Sequence, residues 1–132
     1  MPYVVIVTIL ALIQVTYFGL MVGRVRGKYG VHAPAMSGHE VFDRTFRVHL
    51  NTIEQLVMIL PLMWIFAHFV SPLYAAGFGV VYLIGRAIYS ITYVKDPKSR
   101  SLGFLLTVLP SFAMMIWLLI WAIGAIAKGA AR

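Results

Sequence analysis

A chain of 132 residues that is 61% hydrophobic and only 11% charged, with a mean hydropathy of +0.90, is not an ordinary soluble domain, which carries about 25% charged residues; it reads as a single integral membrane domain. A net charge of +7 usually raises the question of nucleic acid, but so few charges lie outside the apolar runs that no nucleic-acid partner is expected, and the positive charge instead orients the chain and meets anionic lipid or an anionic ligand. The absence of cysteine excludes disulfides and thiolate ligands, so any thiol chemistry must come from a substrate.

Residues 3–23 contain no charge and, at about 21 residues or roughly 32 Å of helix, are long enough for a first membrane span. They do not read as a signal peptide: the basic residues Arg24, Arg26 and Lys28 follow the apolar run instead of preceding it. Arg24 to Glu40 reads as a loop, broken by Gly27, Gly30, Pro34 and Gly38. A second helix is predicted over 41–69, amphipathic at first and then apolar. At about 28 residues it exceeds a bilayer, so its first turns should stand clear of the hydrocarbon or line a polar crevice. Pro61 is expected to kink it.

Ser71-Pro72 forms a short turn, and residues 73–95 form a third span with one internal cation, Arg86. Pro97 stops that helix within the loop Lys95-Asp96-Pro97-Lys98-Ser99-Arg100, and residues 102–127 form a fourth span containing Pro110, Trp117 and Trp121. The predicted architecture is an all-α bundle of four transmembrane helices. Eight basic residues (Arg24, Arg26, Lys28, Arg44, Arg47, Lys95, Lys98 and Arg100) fall on the side of the two internal loops, against Lys128 and Arg132 on the other. By the positive-inside rule the loops are cytoplasmic and both termini lie opposite.

Two helical stripes carry the chemistry. Arg47, Asn51 and Glu54 recur at i, i+4 and i+7, and Tyr82, Arg86, Tyr89 and Tyr93 at i, i+4, i+7 and i+11, so each set shares one face. Simpler readings exist for the members one by one. Arg86 pairs with Glu54 between helices, Asn51 makes a helix–helix hydrogen bond, and Tyr89 and Tyr93 belong to an interfacial aromatic belt. The four histidines show no metal spacing, and His32, His39 and His68 read as loop or interface residues. Taken together, Arg47, Asn51, Glu54, Arg86, Tyr89, Tyr93 and Arg100 describe a pocket at the cytoplasmic interface. Arginine forks suit carboxylates and the lone Glu54 suits an ammonium, so the ligand is a peptide-like zwitterion with an extra carboxylate.

The pattern Phe42-Asp43-Arg44-x-Phe46-Arg47-x-x-x-Asn51-x-x-Glu54 resembles the signature of the MAPEG family, the membrane-associated proteins of eicosanoid and glutathione metabolism. Arg86-x-x-Tyr89-x-x-x-Tyr93, with Arg100 seven residues later, resembles the second motif of that family, and the likeness extends over all four spans. The resemblance implies a homotrimer with glutathione bound between subunits at the cytoplasmic interface. It assigns Arg26, Arg47, Asn51, Glu54, Arg86, Tyr89 and Tyr93 to glutathione, and Arg100 to activation of the thiol. Gln55 stands where a family tyrosine is found, and His49 where a glutamine is found. The function implied is transfer of glutathione to a lipophilic electrophile, with peroxidase activity as a further capacity. The rival readings are a non-catalytic lipid- or ligand-binding protein of the same family and a small four-helix transporter using Glu54 as its coupling carboxylate.

The charge asymmetry generates a first test. A topology reporter fused after Arg132 is expected to give the non-cytoplasmic signal, and a cytoplasmic signal would reverse the orientation.

Overall fold

The computed structural model describes residues 1–96, 98 and 100–129; Pro97, Ser99 and Arg132, which carried parts of the loop and topology readings, lie outside them. Four helices follow one another: α1 (Pro2–Tyr29), α2 (Glu40–Phe69), α3 (Pro72–Lys95) and α4 (Ser101–Ala127). All four are long and apolar enough to cross a bilayer. The chain is an integral membrane protein built as a four-helix bundle.

α1 runs past its expected end. Arg24 to Tyr29, predicted as loop, remain helical, and the stop is Gly30, which adopts φ 67° and donates its N–H to Arg26 O. Val31 N–H joins it on the same carbonyl at 3.1 Å, which closes the helix end. Charges end a span because they leave hydrocarbon, but arginine and lysine are good helix formers. In the last turn Arg26 and Lys28 also meet the negative end of the helix dipole.

α2 begins on a dense cap. His39 Nδ1 accepts from Val41 N–H at 3.1 Å, and Asp43 accepts from Gly38 N–H and from the Ser37 hydroxyl, both at 3.1 Å. Arg44 pairs with Glu40, and its Nη1 donates to Val94 O at 3.1 Å, so the start of α2 is tied to the otherwise unpaired carbonyls ending α3. The helix continues through Pro61 without interruption. Ser71 caps α3 by accepting from Tyr74 N–H at 3.2 Å.

α2 and α3 form the centre, and each packs against both α1 and α4. Val4, Val7, Leu56, Ile59, Met63, Phe66 and Tyr82 make the main core. The outer faces stay apolar: Ile6, Ile13 and Leu20 on α1 and Leu119, Ile120 and Ile123 on α4 are all more than half exposed, a surface suited to lipid and not to water. Because lipid is as apolar as the core, helix contact here depends on close backbone approach. Gly103 of α4 supplies it: a Cβ there would lie 2.4 Å from Tyr89 N. Gly85 of α3 reciprocates, since its Cβ would fall 2.8 Å from the backbone of Leu106 and Thr107.

That contact generates a second prediction. Gly103→Ala must push α4 off the backbone of Tyr89, at an overpacking cost of about 1–3 kcal/mol. A clear drop in melting temperature in detergent is expected, whereas Gly77→Ala, with open space around it, should leave the transition in place.

Candidate functional site

A cavity of about 660 Å³ opens where α2, α3 and the first turns of α4 meet. α2 contributes Arg47, Leu50, Asn51 and Glu54, one stripe of its amphipathic half. α3 contributes Tyr89 and Tyr93, whose rings stack at 5.3 Å with 9° between planes. α4 contributes Arg100, Ser101, Phe104 and Leu105. The Gly103 contact with Tyr89 is therefore also what sets Arg100 beside the tyrosines.

Six of the eight residues predicted from the sequence meet here: Arg47, Asn51, Glu54, Tyr89, Tyr93 and Arg100. Arg86 does not line the cavity. It is fully buried behind it, with its guanidinium carbon 4.3 Å from the centre of the Tyr89 ring. Nor does it pair with Glu54, because among the described residues the one ion pair is Arg44–Glu40. Its Nη1 donates to Asn51 Oδ1 at 2.9 Å and its Nη2 to Thr52 Oγ1 at 2.8 Å. Arg26 also lies elsewhere. It donates to Ala35 O at 2.7 Å, sits 4.8 Å from the centre of the Phe42 ring, and belongs to α1, which gives the cavity no side chain.

Leu50, Ser101, Phe104 and Leu105 were not anticipated. Leu50 follows Arg47 at i+3, and Phe104 and Leu105 follow Arg100 at i+4 and i+5, so projecting each helix from its arginine would have found them. Leu50, Phe104 and Leu105 give the cavity an apolar wall beside its polar floor. A second groove of about 570 Å³, among α1, α2 and α3 and lined by Phe18, Met21, Thr45 and Ile91 among others, shares no residue with it.

The electrostatics are lopsided. Two exposed guanidiniums, Arg47 and Arg100, face a single carboxylate, Glu54, and Arg100 stands at the N-cap of α4, where the positive end of the helix dipole also points. Such a site favours an anion that carries one cationic group. Stacked phenols and an apolar wall in the same cavity add room for apolar groups beside the charged ones.

The profile of the MAPEG family matches residues 4–120. An uncharacterized protein of Synechocystis sp. is 40% identical over 111 residues, covering 84% of this chain and 81% of the relative. Human microsomal glutathione S-transferase 2 is 36% identical over 101 residues, 76% of this chain and 69% of the relative. Bovine leukotriene C4 synthase is 31% identical over 114 residues, 86% of this chain and 73% of the relative.

Proposed function

The chain belongs to the MAPEG family, and on that footing we propose that it binds glutathione in the α2–α3–α4 cavity and transfers it to a lipophilic electrophile. The observation that carries this reading is the joining, in one cavity, of Arg47 and Arg100 with Glu54 and with the apolar wall of Leu50, Phe104 and Leu105. Glutathione is a zwitterion with two carboxylates: the guanidiniums suit the carboxylates and Glu54 suits the ammonium. A thiol with a pKa near 8.5 is mostly protonated at neutral pH. Arg100 is the residue assigned to hold the thiolate, and each unit of pKa depression corresponds to about 1.4 kcal/mol. The thiolate sulfur then attacks the electrophilic carbon. A C–S bond forms, and the leaving group departs with its electron pair, or a strained C–O bond opens and its oxygen takes a proton. The same thiolate could reduce a hydroperoxide, with a second glutathione closing the cycle as disulfide.

Arg26 is the reason to place the site between subunits. On the family resemblance it contacts glutathione, yet on its own chain it lies away from the cavity, bonded to the α1–α2 connection. A neighbouring copy in a homotrimer would supply it, with the site at the cytoplasmic interface.

Four experiments test the proposal. Turnover with glutathione and a generic aryl halide should be seen in detergent, while a flux assay in vesicles should show no glutathione transport. Arg100→Ala is expected to abolish the ultraviolet thiolate signal of bound glutathione near neutral pH and to cut kcat on the order of 100-fold. Retention of both would remove Arg100 from the chemistry. Arg47→Ala, by contrast, should raise KM about tenfold with kcat little changed, because a carboxylate contact is equally strong in ground and transition states. Finally, a monodisperse monomer should bind glutathione far more weakly than the assembly, and full affinity in the monomer would place the whole site within one chain.

A further inference from the structure

Arg86 is the largest fully buried side chain among the described residues, and no carboxylate there pairs with it. An arginine inside a membrane helix is expensive, so what its donors accomplish matters. Its fork grips two consecutive residues of α2. Nη2 meets Thr52 Oγ1, whose own hydrogen goes to Val48 O at 2.7 Å, and Nη1 meets the side chain of Asn51. A guanidinium carries donors only. The amide atom turned toward it must therefore be the oxygen, and the usual ambiguity between the two ends of an asparagine side chain disappears. The NH₂ end is left over, on a residue that lines the cavity, and no acceptor among the described residues takes its hydrogens.

We propose that Arg86 is a positioning residue that locks Asn51 as a hydrogen-bond donor toward the cavity. The ligand group seated against Asn51 is then an acceptor, a carboxylate or a peptide carbonyl, and an ammonium is directed instead to Glu54, three residues along the same face. Freed from Arg86, the amide could turn over and present its oxygen, and that discrimination would be lost. The proposal rests on the glutathione reading and adds a polarity to it: along α2, Arg47 and Asn51 donate and Glu54 accepts.

Asn51→Asp tests it on the full chain in detergent. An aspartate oxygen can accept from Arg86 as the amide oxygen does, so the α2–α3 link survives, but an acceptor replaces the donor facing the cavity. The ligand-free melting temperature should stay within a few degrees of wild type, while the glutathione dissociation constant, measured by calorimetry, should rise at least tenfold. A double variant, Asn51→Leu with Arg86→Met, removes both members of the Arg86–Asn51 pair, while the Thr52 hydroxyl keeps its bond to Val48 O. It should lose affinity to a similar degree, and it decides the matter if Asn51→Asp does not fold. Affinity within threefold of wild type in a folded variant would overturn the proposal. So would affinity losses that merely follow losses of melting temperature across both variants, since that is the mark of structural glue. If the wild-type chain itself binds no glutathione, the functional reading falls and this one with it, a result distinct from binding that survives in Asn51→Asp.

Discussion

The bundle depends on one cation placed where cations are costly. Arg86 leaves α3 in the middle of the helix packing and holds Asn51 and Thr52 of α2 through both arms of its fork, with the Tyr89 ring against its face. In lipid, where apolar contact alone does not drive helices together, such directional bonds and close glycine approaches set the geometry. The same guanidinium backs the cavity wall, so the feature that holds the helices in register also stands directly behind the candidate site.

Around it, the site is a meeting of two solvents. The polar stripe lies in the first half of α2, whose cap ties the end of α3 through Arg44 to Val94 O. There the polar stripe of α2 can be wetted while Leu50, Phe104 and Leu105 remain apolar. For the reaction proposed above, a polar stripe beside an apolar wall has a plain use. A water-soluble thiol and a lipid-soluble acceptor are concentrated by different phases and can react only where both are present. Gly103 brings the start of α4 against Tyr89, and so joins the arginine that ends one connection to the tyrosines that line another helix.

Much of the site was legible because helical spacing is a local property. Arg47, Asn51 and Glu54 share a face on any α-helix, as do Tyr89 and Tyr93, and the cavity collects all of them. Arg86 occupies the same stripe as the tyrosines yet points to the protein interior, because periodicity specifies a face and not the depth at which a side chain ends. The partner of the simpler reading, Glu54, is exposed, whereas Asn51 is half-buried and Thr52 buried, and these two take the guanidinium. Arg26 shows the opposite case: expected in a loop, it lies in the last turn of α1, and its contact with Ala35 O and Phe42 depends on how residues 30–39 fold back.

The sequence by itself determined that this is a membrane protein of four helices, because composition and run length decide what a bilayer will accept. It also determined which residue types gather at the basic end. Where helices stop was less accessible. Arg24 to Tyr29 left the hydrocarbon without leaving the helix, and only the left-handed turn at Gly30 ended it. The approach of α4 to α3 at Gly103 and Gly85, the burial of Arg86, and the direction in which Asn51 presents its amide were decided by tertiary structure alone. Each depends on distances between segments far apart in the chain, and no local pattern encodes such a distance.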